Sequence, residues 1–286
     1  MYHSLQYLKV KSDYESLNAK LELTKRLENF IDTGLLGSNK EKLVYTNTEE
    51  IVSNLNYIKN NIKMVKEINL NKILIREALA SATIEGANTT LNEVSKNLFS
   101  PITKDDKMVS NTYHALLKSL EVGVESYNIR SLWEVIVKDV GDNMDIAGDF
   151  YRNGGVYIGN AFRTVYIPPD PVTVPKMMSD LLTFKFNDSI IDAIITHFYF
   201  VYIHPFCDGN GRFARMWMLE KLTSDFSNEF LALPISETIL NTVGNYYQAL
   251  QMSEQSVMGY LDITFFVHYM LETIRVTISK ILDSTL

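Results

Sequence analysis

The stretch that decides the fold reads His204-Pro205-Phe206-Cys207-Asp208-Gly209-Asn210-Gly211-Arg212-Phe213-Ala214-Arg215. It follows apolar residues at helical spacing (Ile190, Ile194, Phe198, Val201) and leads into a second apolar run from Met216-Trp217-Met218-Leu219. It therefore reads as a loop that opens a helix. Gly209 and Gly211 let backbone amides approach an anion closely, and the free N–H groups of the next first turn carry partial positive charge. Arg212 and Arg215 stand three apart and reach one side of the helix start. Two guanidinium groups beside amide donors make a polyphosphate site. Asp208 offers a hard carboxylate oxygen suited to Mg²⁺ shared with phosphate oxygens, and His204 a base that titrates near neutrality. A glycine-rich loop alone is an ordinary turn, and a lone histidine is more often structural. Base, carboxylate, glycines, asparagine and two arginines within twelve residues are a different matter.

Outward from this loop, the chain reads as mainly α, with roughly ten helices. Four of the seven prolines (Pro168, Pro169, Pro171, Pro175) fall together. Elsewhere the helical period recurs, as in Leu117, Leu120 and Val124, or Phe265, Tyr269 and Ile274. The exception is 154–167. There Val156-Tyr157-Ile158 and Thr164-Val165-Tyr166-Ile167 are β-prone runs joined by Gly159-Asn160-Ala161-Phe162-Arg163, a β-hairpin pattern. Pro168-Pro169 ends the second run, since proline cannot donate to a ladder. Between 37 and 48, Gly37-Ser38-Asn39-Lys40 and Tyr45-Thr46-Asn47-Thr48 read as loop, following an N-terminal helical hairpin.

The 286 residues suffice for a sizeable core. With 46% hydrophobic and 21% charged residues, the composition is that of a folded globular chain. A net charge of −7 lacks the basic footprint of a general nucleic-acid binder. The single cysteine, Cys207, excludes an internal disulfide and a cysteine zinc cluster. Neither a signal-peptide pattern nor a membrane-length apolar run is present, so the expected location is the cytoplasm, with no membrane partner. Of the remaining histidines, His197 lies on the helical face of His204 without a carboxylate to complete a metal triad, and reads as packed.

Upstream, Arg76-Glu77-Ala78-Leu79-Ala80-Ser81-Ala82-Thr83-Ile84-Glu85-Gly86 reads as a helix stopped by Gly86. Thr90-Leu91-Asn92-Glu93 then has the capping-box pattern of a new helix start. Glu85, in a last turn, opposes the helix dipole and calls for another cationic partner.

The loop matches the signature His-x-Phe-x-Asp/Glu-Gly-Asn-Gly-Arg-x-x-Arg at every fixed position, and the chain resembles the Fic family of helical bundles over about residues 70–275. The resemblance implies a protein adenylyltransferase that moves AMP from ATP to a Ser, Thr or Tyr hydroxyl. In it His204 would take the hydroxyl proton and Asp208 would hold Mg²⁺. Asn210, with Gly209 and Gly211, would bind the α/β-phosphates, Arg212 the β-phosphate region and Arg215 the γ-phosphate. Phe206 would anchor the loop, and Cys207, at a variable position, reads as a small packed residue. The hairpin resembles the family's flap, on which a target protein docks as an added strand; Ile158, Gly159, Asn160 and Ala161 correspond to flap positions that also touch nucleotide. Arg152 stands four residues after Gly148, one more than the family spacing. Tyr246-Tyr247 matches a pair near the adenine, and Glu254 stands where relatives sometimes carry Asn.

Ser81-x-x-x-Glu85-Gly86 is similar to the family's inhibitory motif, in a helix of about 72–86, whose glutamate pairs with the second motif arginine, here Arg215. Autoinhibition is the implied consequence. The implied organisation is an N-terminal helical extension (1–69), the domain with its inhibitory helix (70–275) and a C-terminal helix end (276–286). Self-modification and a homo-oligomer stay open as partner expectations. Three alternatives also stay open: transfer of another phosphate-containing group, removal of AMP, and an ATP-sensing interaction module without turnover.

Overall fold

A computed structural model of the chain describes residues 3–13, 17–66, 69–140, 150–160 and 163–284. In chain order the elements are α1 (Leu5–Asp13), α2 (Leu17–Glu28), β1 (Ile31–Leu36), β2 (Lys42–Tyr45), α3 (Glu49–Asn61), α4 (Leu70–Ile84), α5 (Leu91–Asn97), α6 (Lys104–Val122), α7 (Ile129–Val137), β3 (Ile158–Asn160), β4 (Arg163–Tyr166), α8 (Val174–Thr183), α9 (Ser189–Ile203), α10 (Asn210–Asp225), α11 (Ile235–Asn241), α12 (Val243–Ser253), β5 (Ser256–Val257), β6 (Tyr260–Asp262) and α13 (Thr264–Ser284). The mainly helical reading holds, with more and shorter helices than expected. No helix among the described residues is long and apolar enough to cross a membrane.

Two central helices organise the rest. Every residue of α9 from Ile190 to Ile203 is buried, and a helix apolar all round can only sit inside. Asp188 caps its start, accepting from the amides of Ile190 and Ile191. α10 lies along α9, with α4, α6 and α7 against its other faces and α8 and α13 against α9. The two are also tied by a buried ion pair, Lys221 Nζ to Asp192 Oδ1 at 2.7 Å. The six residues between them carry the signature loop, so a rigid pair of helices fixes both of its ends.

Local signals account for several boundaries. The Thr90–Glu93 capping box forms as expected, and a second one, Thr103–Asp106, starts α6. The apolar face expected of α6 is offset: Val109, Thr112, Tyr113 and Leu116 are buried, whereas Leu117 faces solvent and Val124 lies beyond the helix.

The N-terminal region is not purely helical. β1 and β2 form a hairpin around 37–40, and β2 pairs in parallel with β6, giving a four-stranded sheet in the order β1-β2-β6-β5. Tyr45, expected in loop, is a strand residue together with Leu43 and Val44, and all three are almost completely buried. A four-residue strand whose partner comes from the far end of the chain leaves little local pattern to read. α1 and α2 pack on the β5–β6 hairpin through Leu5, Leu8 and Leu23 against Val257 and Tyr260. The second hairpin, β3–β4, is also shifted from its expected register. Gly159, Asn160 and Arg163, expected in the connection, are strand residues, while Val156 and Tyr157 precede β3 and Ile167 follows β4. Ala161, Phe162 and Gly148 lie outside the described residues.

The N-terminal helices are locked to the sheet by Arg26, whose Nη2 meets Asp262 Oδ2 at 2.9 Å with both side chains buried. Replacing Arg26 with Ala strands a buried carboxylate and should cost roughly 3–5 kcal/mol of unfolding free energy. Arg26→Met combined with Asp262→Asn should cost clearly less, because no uncompensated charge remains. Urea unfolding of the three proteins checks this; equal losses in the single and double variants would refute it.

Candidate active site

His204 ends α9 in the left-handed region, at φ 51° and ψ 60°, and so turns the chain out of the helix. Gly209 starts α10 with φ 76°. A side chain there would be strained by that conformation, and its Cβ would meet Val137 Cγ1 at 3.0 Å and Ile136 Cγ2 at 3.1 Å. Between these two turns, Phe206 is buried and stacks on Trp133 with centroids 4.6 Å apart. The anchoring role expected of Phe206 is thus seen directly.

The side chain of Asn210 is hydrogen-bonded to the loop backbone. Its Oδ1 accepts from the Phe206 amide at 3.0 Å and its Nδ2 donates to the Phe206 carbonyl at 2.8 Å. Both polar ends thus brace the loop, while the second Nδ2–H and the main-chain N–H at the start of α10 are not used by these contacts. Cys207 is exposed rather than packed, since it stands on the outer side of the turn that buries Phe206. Asp208 is half exposed, accepts from the Gly209 amide at 2.6 Å, and lies 3.5 Å from Arg212 Nη2.

Both arginines are buried. Arg212 Nη1 donates to the Ile136 carbonyl at the end of α7, at 3.0 Å. Arg215 is grasped by α4: its Nε donates to Ser81 Oγ and its Nη2 to the Ser81 carbonyl, both at 2.9 Å, and Nη2 also meets Glu85 Oε1 at 2.8 Å. The cationic partner expected for Glu85 is therefore Arg215. Burial, the largest single effect, pulls Arg215 down, but the charge and hydrogen bond of Glu85 together with Tyr246 and Tyr247 outweigh it and hold the guanidinium above its ordinary value. The Glu85 carboxylate also lies over Gly211, where an added Cβ would fall 2.0 Å from Oε1. Gly86 follows with φ 96° and leaves the helix. Tyr247 Oη donates to the Ile84 carbonyl at 3.2 Å, fixing the end of α4 from α12.

His204, Gly211, Glu85, Ile158, Gly159, Tyr246, Tyr247 and Glu254 share one cavity of about 410 Å³. Ile158 and Gly159 come from β3, so the hairpin forms its wall. Burial lowers His204 to about 4, against an upward pull from Glu85, so its ring is neutral at pH 7. Tyr246 is buried and shares a hydrogen bond of 3.0 Å with His197, which is fully buried as expected. Burial raises Glu254 to about 8, so it enters the cavity as a neutral acid.

Two residues were not assigned to the site from sequence. Trp133 Nε1 donates to the Asp208 carbonyl at 2.8 Å, and nothing local marks this indole as different from any core residue. Arg152, read only as a landmark, is buried. Its Nε donates to the His204 carbonyl at 2.7 Å and its Nη1 to Gly154 at 3.0 Å, while its own amide reaches the Pro205 carbonyl at 2.9 Å. It fastens the root of the hairpin to the turn that presents His204.

Buried donors remain over. Arg212 Nε and Arg215 Nη1 have no hydrogen-bond partner among the described residues, whereas the His204 ring has the Val201 carbonyl beside it. Each such group costs about 1–3 kcal/mol unless a ligand satisfies it.

The model of the Fic/DOC family matches residues 124–222. A protein adenylyltransferase Fic of Drosophila willistoni is 28% identical over 152 residues, covering 48% of this chain and 30% of the fly protein. A probable protein adenylyltransferase of Aquifex aeolicus is 25% identical over 166 residues, covering 55% of this chain and 50% of its own length. The chain thus matches half or less of these curated relatives. The crystal structure of a Fic family protein from Desulfovibrio desulfuricans superposes with a TM-score of 0.72 at 26% identity, over 84% of this chain and 76% of the other. Signature, helical frame and family match agree: residues 124–222 match the Fic/DOC family, and the chain is similar to Fic family proteins over most of its length.

Proposed function

We propose that the chain transfers AMP from ATP to a Ser, Thr or Tyr hydroxyl of a target protein, and that Glu85 restrains the reaction. The observation that carries this reading is the pair of buried guanidinium nitrogens without partners, Arg212 Nε and Arg215 Nη1, on the first two turns of α10, beside the cavity that His204 and Gly211 share. A polyphosphate is the ligand chemistry that such a set satisfies. The fly and Aquifex relatives, named as a protein adenylyltransferase and a probable one, point the same way.

In this reading Arg212 and Arg215 clamp the terminal phosphates while the wall from Ile158 to Tyr247 receives the nucleoside. Neutral His204 takes the proton from the acceptor hydroxyl, whose oxygen forms a bond to the α-phosphorus as the bond to pyrophosphate breaks. The base contributes about 10²–10⁴-fold, and the amide and guanidinium donors stabilise the charge leaving with pyrophosphate. No group of three or more His, Cys, Asp or Glu among the described residues forms a metal cage. A single half-exposed carboxylate, Asp208, fits Mg²⁺ that takes its other ligands from phosphate and water. Bound there, Mg²⁺ would offset phosphate charge. The β3–β4 hairpin offers a short exposed edge on which a target segment would add as a strand.

Arg215 cannot hold Glu85 and a γ-phosphate in the same geometry. Glu85→Gly should therefore raise the rate of AMP incorporation, with self-modification as the readout, by about tenfold. That is about 1.4 kcal/mol, part of the roughly 3–5 kcal/mol that a one-sided break of a buried pair is worth. Intact mass after incubation with MgATP or MgUTP measures it. A single variant no faster than wild type, or one still active with His204→Ala added, would defeat the reading; a UMP adduct would redirect it to another donor.

The pH profile of the Glu85→Gly enzyme should be distinctive. Because the active form of His204 is neutral and its value sits near 4, activity should stay flat down to about pH 5, well below an ordinary histidine limb. Glu254 ionises near 8, adding negative charge beside the nucleotide, so the KM for ATP should rise above that pH. Glu254→Gln should abolish the alkaline rise and leave the acid limb in place. An acid limb near 6.5 would refute the base assignment.

A further inference from the structure

A second cavity, of about 560 Å³, lies away from the signature loop, between the first half of α4, the start of α11 and the last turns of α13. Its rim carries Lys66, Lys72, Arg76 and Lys280 against a single acid, Glu237. The side chains of Lys66, Lys72 and Lys280 make no ion pair among the described residues, in a chain whose net charge is −7. Local cations without partners, gathered at one concavity of an acidic protein, are an anion-binding arrangement. The floor is apolar, with Ile73 and Pro234, and the volume is that of a site for one small molecule.

We propose that this cleft binds a small soluble organic phosphate, its phosphate on the lysines of the rim and its apolar part on the floor. A membrane surface fits less well, because an anionic bilayer would face the repulsion of the whole acidic chain while reaching only the rim.

The cleft also touches the seat of α4. Arg76 makes a two-point contact with Glu237, Nε to Oε2 and Nη2 to Oε1, each 2.8 Å. Next to it, buried Glu77 accepts from the Ser236 amide at 2.7 Å and from the Ser236 hydroxyl. These two acid contacts hold α4 on α11, and α4 carries Ser81 and Glu85 at its other end. A phosphate beside Arg76 competes with Glu237 for the guanidinium. Resting on the inhibitory reading of Glu85, occupancy of the cleft loosens α4 and favours transfer.

The test is calorimetry on the full chain with hexyl phosphate, inorganic phosphate and hexan-1-ol as probes, none of which carries a base for the nucleotide cavity. Hexyl phosphate should bind one site at least tenfold more tightly than either fragment, more weakly as salt rises. Lys72→Ala with Lys280→Ala should lower its affinity at least tenfold; both lysines are exposed, so an unchanged melting temperature will confirm that the variant folds. Absence of saturable binding, or binding unchanged in the double variant, overturns the site. Hexyl phosphate should also speed AMP incorporation by wild type and not by Glu85→Gly; acceleration of both, or of neither, overturns the link to α4 without touching the binding result.

Discussion

The geometry of this molecule turns on one guanidinium group. Arg215 is buried in the middle of the helical frame, where an unpaired charge would be prohibitively costly, and three donor–acceptor contacts from α4 stabilise it there. The charge belongs to α10, while its partners belong to a helix that enters the chain 130 residues earlier. Whatever satisfies Arg215 therefore decides where α4 sits. On the proposed reading a nucleotide phosphate would compete with Ser81 and Glu85 for the same group, so its binding and the seating of α4 would become a single equilibrium.

The rest of the loop is built to keep that choice simple. Asn210 and Trp133 use their polar groups on the backbone of the loop, and Arg152 ties the hairpin root to the His204 turn. These contacts leave few internal degrees of freedom between His204 and the arginines. A neutral imidazole in a dry setting is a ready base without needing a carboxylate behind it, although its depressed value makes it a weaker one than an exposed histidine.

Much of this was legible in the sequence. The helix–loop–helix around 204–215, the capping box at Thr90 and the pairing of Glu85 with a cation follow from local chemistry and spacing. The long-range features do not. Leu43 to Tyr45 form a strand only because Tyr260 to Asp262 lie beside them, and a run that short has no periodicity to detect. The loop-bracing contacts of Asn210 are hidden for a related reason: a side-chain amide four residues from Phe206 can satisfy backbone groups as readily as a ligand, and its residue type does not say which. Cys207 was expected inside on residue type alone, whereas the turn direction put it outside. Trp133 and Arg152 carry no local mark because their partners are carbonyl oxygens, which every residue has.

The parallel pairing of β2 with β6 also bears on how the molecule comes to be folded. Thr46 and Thr264, which meet beside that pair, are 218 residues apart in the chain. Contacts of such high sequence separation form late, because the intervening loop must close before they are rewarded. During synthesis the first two strands emerge long before their neighbour and must wait with a hydrogen-bonding edge exposed. The N-terminal helices, whose small apolar cluster leans on the same late-arriving hairpin, wait with them. Early-made segments thus join last, and a nascent chain stalled short of β6 would present an open strand edge for non-native pairing.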